Sequence, residues 1–370
     1  MLLTEHNLFY YLLDKGMTDL SPVINGEFTV RRSDSRNNNF IVNKEYDHHS
    51  YFIKQVKAPD TEKIETMQVE ATAYRLAHTD PQYKALKDFL PDFHYYDNHH
   101  HILVTGQVKE ALSVYDYYMQ VPAPDDQLPA LIADILASFH KTIGTNGDQQ
   151  AFRYFKRQLP WVFSVASQAP ASLQAPAVSA DQQLMQLIAK NQDLPGLIQP
   201  LSSLWQPVSL LHNDAKLNNF LVGYDQEKNK VRFIRLIDWE LADIGDPLWD
   251  LATVMQHYLT LWLTTDVPEQ ESFFKKITLE QVQPRIQQLW NRYARQVNWQ
   301  PAQRQAALLK TIRFCALKLI HTCFETTTQL SVLQPVTVKM LQVSINILKA
   351  PADAATKLFG LNMQYEKVYQ

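Results

Sequence analysis

The sequence predicts an α+β fold with two lobes: a small N-terminal antiparallel sheet with one helix, then a larger, mostly helical C-terminal lobe. The chain has 370 residues, which is more than one ordinary domain needs. Short strand-like runs separated by polar turns fill the first 108 residues, and apolar residues at helical spacing dominate from about residue 109. We therefore expect an N-terminal lobe of residues 1–108 and a C-terminal lobe of residues 109–370.

Composition excludes several classes of protein. Apolar residues make up 46% and charged residues 20%, with a net charge of −3, which argues against a dedicated nucleic-acid surface. No apolar stretch approaches the roughly 20 residues that span a bilayer, and the N-terminal segment is interrupted by charges, unlike a signal peptide. Cys315 and Cys323, the two cysteines, both lie in a helical pattern. We expect a cytoplasmic protein with core thiols and no membrane partner.

The N-terminal lobe begins with a short amphipathic helix and continues as strands around one long helix. The predicted helices are 4–16 and 61–79, and the predicted strands are 27–32, 39–43, 50–56, 92–97 and 100–108.

The C-terminal lobe is predicted to be helical, with three short strands near its middle. The predicted helices are 126–143, 151–165 (interrupted by Pro160), 278–297 and 303–325, with strands at 208–211, 220–223 and 231–237. Residues 166–182 are rich in Ala, Ser, Pro and Gln and are predicted to form a loop.

Polar residues at the ends of these central strands carry the functional signal. In "LLHNDAKLNNF" (210–220), Asp214 lies five residues before Asn219, and "DWE" begins at Asp238 directly after the next strand. An aspartate can orient or accept a transferable proton, and amide and carboxylate oxygens suit Mg²⁺. This combination matches the needs of phosphoryl transfer. Capping of turns explains one such residue, but it does not explain the whole set.

The first lobe offers a cation for phosphates. Lys54 lies within a strand, where lysine is depleted, although an edge-strand lysine that blocks aggregation would fit as well. A functional lysine requires a carboxylate on the following helix. Glu70 flanks the apolar stripe of helix 61–79, whereas Glu65 lies nearly opposite that stripe. We therefore predict that Lys54 pairs with Glu70, with Lys57 as the alternative lysine.

The chain resembles the aminoglycoside phosphotransferase and choline kinase branch of the protein-kinase-like superfamily. The resemblance covers most of the chain and is strongest at "LLHNDAKLNNFLV", "IDWELADIGDPLWDLA", "YFIKQ" and "VEATAYRLA". It implies a bilobal protein-kinase-like fold and an enzyme that uses ATP and Mg²⁺. The residues that match the family motifs imply Asp214 as the catalytic base, Asn219 and Asp238 as metal ligands, Lys54 and Glu70 at the nucleotide phosphates, and Asp250 as a structural tie for the catalytic loop.

Two features depart from many small-molecule members of this family. Asn213 and Lys216 replace a glycine and a histidine. Lys216 is similar to the lysine that follows the base in protein serine/threonine kinases, where it contacts the transferred phosphate. We therefore expect a catalytic role for Lys216, and a peptide hydroxyl stays open as the acceptor.

Glycine is scarce, with nine residues in the chain, so a glycine-rich phosphate loop is not available. The resemblance places the nucleotide loop at "SDSRNNNF" (33–40), where hydroxyl, amide and backbone N–H groups would serve as donors. Ser35 and Asn38 are the expected contacts in this loop. Backbone groups of residues 105–111 are expected to hold adenine.

The leading hypothesis is an ATP- and Mg²⁺-dependent phosphotransferase acting on a hydroxyl group of a small molecule, such as an amino-sugar, a choline-like alcohol or a sugar alcohol. The alternatives are a kinase of a peptide Ser or Thr and a nucleotide-binding pseudokinase. The identity of the acceptor, the choice between ATP and GTP and the oligomeric state stay open.

Overall fold

The computed structural model describes residues 1–33, 37–44, 50–57, 60–143, 154–174, 176–228, 230–265 and 275–362. The N-terminal lobe is a five-stranded antiparallel sheet in the order β1-β2-β3-β5-β4. Its elements are α1 (Leu8–Asp14), α2 (Ser21–Ile24), β1 (Phe28–Ser33), β2 (Asn38–Lys44), β3 (Tyr51–Gln55), α3 (Thr61–Thr79), β4 (Phe93–Asp97) and β5 (Ile102–Gly106).

Local sequence explains the two elements that matter most for the site. Along β3, burial alternates strictly, so one face meets the core and Phe52 and Lys54 face the other way. Helix α3 begins at Thr61 because the side chain of Asp60 caps it, accepting a hydrogen bond from the Lys63 backbone N–H at 3.1 Å. The predicted helix 61–79 is confirmed at both ends.

The C-terminal lobe is mostly helical. A three-stranded sheet (order β6-β8-β9) and the pair β7–β10 lie at its centre, all antiparallel. Its strands are β6 (Ala111–Ser113), β7 (Ser209–Leu211), β8 (Phe220–Asp225), β9 (Lys230–Leu236) and β10 (Asp243–Gly245). Its helices are α4 (Val114–Gln120), α5 (Leu128–Thr142), α6 (Val165–Gln168), α7 (Ala180–Lys190), α8 (Leu194–Ser202), α9 (Leu248–Thr265), α10 (Leu279–Gln296), α11 (Pro301–Thr327), α12 (Pro335–Lys349) and α13 (Pro351–Lys357).

The prediction for residues 151–182 needs correction. Residues 151–153 lie outside the described residues, and 154–160 form no helix. A short 3₁₀ turn (Trp161–Ser164) follows Pro160, because proline cannot continue a helix from the preceding turn. The segment 166–182, predicted as a loop, contains most of α6, a 3₁₀ turn and the start of α7. Alanine and glutamine favour helix strongly enough to outweigh the prolines between these short helices.

Two apolar cores hold the molecule together. The smaller one joins α1 to the back of the N-terminal sheet and contains Leu8, Phe40 and Ile53. The larger one fills the C-terminal lobe and extends to α3. Within the described part of the chain, no helix is long and apolar enough to cross a membrane. The α+β architecture is confirmed, with an antiparallel sheet in the N-terminal part and a mostly helical C-terminal part, and the predicted boundary at residue 108 falls between β5 and β6.

Candidate active site

The loop between β7 and β8 carries the predicted catalytic residues. Asn219 ends this loop, and its backbone oxygen accepts the N–H of Ile237, the residue before Asp238, at 2.9 Å. The Asn219 side-chain amide donates to the Asp214 backbone oxygen at 2.8 Å and to Asp214 Oδ2 at 3.0 Å. The structure therefore brings together the strand-end residues Asp214, Asn219 and Asp238.

Asp250 and His212 fix this loop from below. The two carboxylate oxygens of Asp250 accept the backbone N–H groups of His212 at 2.7 Å and Asn213 at 2.8 Å. His212 Nε2 donates to the Ile237 backbone oxygen at 2.8 Å, which ties the loop to the end of β9. Asp250 and His212 are both fully buried. This geometry agrees with the structural role that the resemblance implies for Asp250.

Two lysines surround the Asp214 carboxylate. Lys216 Nζ lies 2.9 Å from Asp214 Oδ2, and Lys318 approaches from α11. Burial alone would raise the pKa of Asp214, but the positive charges of Lys216 and Lys318 outweigh burial and lower it. The carboxylate is therefore ionised at neutral pH, which is the form able to accept a proton or orient a hydroxyl group.

Lys54 forms the ion pair with Glu70 that the helical-face argument predicts. Lys54 Nζ lies 3.0 and 2.9 Å from the two Glu70 carboxylate oxygens and also contacts Asp238. Burial opposes the charge of Lys54, but Glu70 and Asp238 raise the pKa of Lys54 above its ordinary value. The two rejected candidates lie elsewhere: Glu65 pairs with Lys156 at the surface, and Lys57 is exposed.

Glu240 is a site residue that the sequence reasoning missed, although the "DWE" motif contains it. Carboxylate oxygens of Glu70, Asp238 and Glu240 lie within 4.8 Å of one another. Burial is the main cause that raises the pKa of Glu240, and the negative charge of Asp238 adds to it. Burial also raises the pKa of Glu70, to about 7. Lys54 contacts two of the three carboxylates, Glu70 and Asp238, so a hard divalent cation such as Mg²⁺ fits both the oxygen donors and the concentration of negative charge.

The phosphate-loop prediction is corrected in part. Ser35 lies outside the described residues. Asn38 faces away from the site: its amide donates to the Leu3 backbone oxygen at 2.9 Å and to Gln55 Oε1 at 3.3 Å. Successive strand residues point to opposite faces, so Asn37 and Asn39 line the site instead. Asn39 is only 5% exposed, and its Oδ1 finds no hydrogen-bond partner among the described residues.

These groups line one cleft of about 650 Å³ between the lobes, a size usual for a ligand site. Its apolar lining comes from both lobes and consists of Ile41, Phe52, Leu103, Leu221 and Ile237. Residues 105–108, at the end of β5 and directly after it, also line the cleft, and their contact with adenine stays a prediction. The charged and acidic lining includes Lys54, Asp238 and Glu240, together with Asp214 and Lys216.

Helix α11 also contributes to the cleft. Glu325 lines the cleft, and its carboxylate lies 3.7 Å from Lys216 Nζ and 4.0 Å from His321 Nδ1. Trp161 packs edge-on against Phe324 at 5.1 Å and lies 5.5 Å from the His321 ring, yet 45% of its surface is exposed. This region offers one carboxylate and an aromatic surface next to the catalytic loop.

A family model described as "Phosphotransferase enzyme family" matches residues 27–273, which contain every site residue discussed so far except those of α11. A search of curated proteins found no match.

Solved structures of kinases have the same fold. An ethanolamine kinase from Plasmodium vivax is 15% identical with a TM-score of 0.58, covering 94% of this chain and 89% of its own. A choline kinase from Cryptosporidium parvum Iowa II is 14% identical with a TM-score of 0.59, covering 95% and 98%. A microcompartment-associated aminopropanol kinase is 16% identical with a TM-score of 0.51, covering 93% and 99%. These likenesses concern the fold, whereas the family model matches the sequence itself over about two thirds of its length, and on that match the chain belongs to the phosphotransferase enzyme family.

Proposed function

We propose that this protein transfers the γ-phosphoryl group of ATP to a hydroxyl group of a small molecule in an Mg²⁺-dependent reaction. The observation that carries this proposal is that one cleft is lined by Lys54, Asp214, Asp238 and Glu240 together with apolar side chains from both lobes. Phosphoryl transfer requires positioning and electrostatic stabilisation more than covalent chemistry, and a cleft that combines these groups supplies both.

The apolar lining of the cleft supports binding of a purine. Apolar side chains from the two lobes can enclose the flat base, and backbone groups near residues 105–108 can contact its edge. Lys54, held by Glu70, would contact the phosphates, and Asn39 would add an amide donor beside it. Asn39 is the residue that faces Lys54 across the β2–β3 pair.

The carboxylate cluster supports a metal site. Asp238 and Glu240, with the Asn219 amide oxygen, would hold Mg²⁺, which neutralises phosphate charge during the transfer. The Asn219 amide nitrogen already donates to Asp214, so its oxygen is the end available for a cation.

Asp214 would orient the acceptor hydroxyl group and accept its proton. Its pKa is lowered, so it is a weak base, and its main task is orientation because the transition state is loose. Lys216, 2.9 Å away, would stabilise the transferring phosphoryl group. The acceptor would lie between Asp214 and the surface formed by Trp161 and Glu325, because Glu325 lines the cleft and lies beside Lys216, the neighbour of Asp214.

The acceptors named for the related structures, ethanolamine, choline and aminopropanol, are small alcohols with an amino or ammonium group. We therefore propose a small amino alcohol as the first acceptor class to test, because Glu325 offers it a carboxylate. Lys216 favours a second candidate, a peptide Ser or Thr hydroxyl, because protein serine/threonine kinases have a lysine at this position.

The test incubates the protein with Mg²⁺-ATP and separate pools of amino alcohols, amino-sugars, sugar alcohols and Ser/Thr peptides, and measures the mass gain of one phosphoryl group. We expect one pool of small molecules to gain it, and Asp214→Asn to abolish the gain. Transfer only to peptides would replace the proposal with the peptide kinase. ATP binding without transfer to any pool, or to water, would favour the pseudokinase.

A further inference from the structure

A buried lysine outside the nucleotide cleft contacts the catalytic loop. Lys318, in the middle of α11, is 4% exposed. Its ammonium donates to the Asn213 backbone oxygen at 2.9 Å and lies 4.5 Å from the centre of the Trp249 ring. Lysine is rarely buried so completely unless its charge is compensated. Neither contact involves the nucleotide or the acceptor surface, and the proposed reaction gives Lys318 no role beyond the effect of its charge on Asp214.

The oxygen that Lys318 contacts belongs to the peptide group that carries Asp214. On the other side of this peptide group, the Asp214 N–H donates to His212 Nδ1 at 3.3 Å. Asn213 adopts a left-handed conformation with φ of 67°, which L residues adopt at a cost. Its N–H is held by Asp250 at 2.8 Å. Lys318 therefore fixes the Asn213 carbonyl group in a strained segment. The neighbouring N–H groups of Asn213 and Asp214 are already held by Asp250 and His212.

The charges around Lys318 explain why the ammonium is tolerated. Asp214, Asp250 and Glu325 face it with negative charge, and Lys216 faces it with positive charge. Burial lowers the pKa of Lys318, and the three carboxylates oppose that effect. The positive charge of Lys318 also helps to lower the pKa of His257 and the pKa of His321.

We propose that Lys318 is a positioning residue of the phosphoryl-transfer site, acting through the Asn213 carbonyl to fix the peptide plane that sets the direction of the Asp214 carboxylate. This inference rests on the proposed function, in which Asp214 orients the acceptor. A displacement of about 1 Å in a reacting group can cost roughly 100-fold in rate, so a loosened peptide would lower turnover without weakening nucleotide binding.

The test compares Lys318→Met, which keeps length and apolar contact but loses the donor, with Lys318→Arg, which keeps a charged donor. Lys310→Met is the matched control, because Lys310 is also a largely buried lysine of α11, pairs with Asp246 and packs on Phe314. ADP release from Mg²⁺-ATP with water as acceptor measures turnover. Titration with a fluorescent ATP analogue measures nucleotide binding, and hydrogen exchange of the backbone amides of residues 212–216 measures loop order.

We expect Lys318→Met to lower kcat about 10- to 100-fold with the KM for ATP changed less than about twofold, and to speed exchange in residues 212–216. Lys318→Arg should recover part of kcat. Lys310→Met should lower Tm while kcat per folded molecule and loop exchange stay as in the wild type. Wild-type kcat in Lys318→Met, or equal losses in both Met variants, would overturn the role of Lys318. A wild-type protein that releases no ADP with water or with any of the acceptor pools, whether or not it binds the analogue, would instead overturn the proposed function, and this role with it.

Discussion

Asn39 lies directly opposite Lys54 in the antiparallel register of β2 and β3. Both side chains point from the same face of the sheet into the cleft. Asn38, one residue earlier, points to the opposite face and holds the N-terminal segment through the Leu3 backbone oxygen. Two adjacent residues of the same type therefore have separable tasks, and substitution can tell them apart.

Asn39→Ala should raise the KM for ATP about 10-fold or more, because it removes a polar contact to a charged phosphate, worth about 1.5–3 kcal/mol. Asn38→Ala is the matched control and should lower the free energy of unfolding by about 1–3 kcal/mol with little change in KM, because it leaves buried partners unsatisfied. Steady-state kinetics and chemical denaturation measure the two quantities. The reverse pattern would restore Asn38 as the nucleotide contact.

The sequence was sufficient for much of the site because its signals are local. Lys54 and Glu70 could be paired from strand position and helical periodicity alone, and the residues at the ends of β7 and β9 could be recognised from the apolar runs before them. The register of β2 was harder, since "NNN" (37–39) contains no side-chain difference that reveals which asparagine faces the cleft. Glu240 is part of "DWE", but the sequence does not show that it lies beside Glu70 and Asp238. That position depends on the left-handed backbone of Asp238, whose φ is 69°.

The parts of the site contributed by α11 could not be predicted for a different reason. Lys318 contacts Asn213 across 105 residues of sequence, and Glu325 reaches the cleft from the same helix. A helical pattern shows which residues share a face, but not which distant loop that face covers. Because apolar residues surround position 318 in the sequence of α11, the pattern predicts a lysine at the border of an apolar core and gives no sign of its contact with the loop.

Glu240→Gln should raise the Mg²⁺ concentration needed for half-maximal activity about 10-fold or more, a loss typical of removing a group around a metal. Glu65→Gln, on the surface side of α3, is the matched control and should leave the Mg²⁺ requirement unchanged. Activity titrated with Mg²⁺ at saturating ATP measures the effect. An unchanged requirement in Glu240→Gln would show that the carboxylate does not serve the metal.

Acid sensitivity should depend on His257. Burial lowers the pKa of His257 to about 3 from an ordinary value of 6.5. Below about pH 6.5 the His257 imidazole is therefore protonated in the unfolded chain but neutral in the folded protein. The free energy of unfolding falls as the pH is lowered from about 6.5 toward about 3. His257→Asn should remove up to about 2 kcal/mol of the stability change between pH 6.5 and about pH 5.

Chemical denaturation at several pH values measures this dependence. His321, whose pKa burial lowers to about 4, should account for part of the slope that His257→Asn leaves. Substitution of the exposed His6 by Asn serves as the control and should leave the slope unchanged. If His257→Asn shows the wild-type slope, the imidazole is protonated in the folded protein and the assignment fails.

Asp214→Asn should lower turnover by two or more orders of magnitude, roughly the scale of general-base catalysis. Asparagine keeps the size of the side chain, but it loses the negative charge that Lys216 faces at 2.9 Å and one of the two carboxylate acceptors. Binding of ATP should be nearly unchanged, because in the proposed reaction Lys54 and the apolar lining of the cleft would hold the nucleotide. Transfer rate and ATP affinity, measured on the same preparation, separate the two effects.

The substitution also tests whether Asp214 serves the fold instead of the reaction. Its Oδ2 accepts from the Asn219 amide at 3.0 Å, so a structural role would appear as a lower Tm together with lost ATP binding. The exposed Asp126 provides a matched Asp→Asn control that should change neither quantity. Near-wild-type transfer to the true acceptor would remove Asp214 from the mechanism. Slow transfer by a stable protein that still binds ATP is the outcome we expect, because in the proposed reaction the carboxylate acts on the acceptor hydroxyl group and not on the nucleotide.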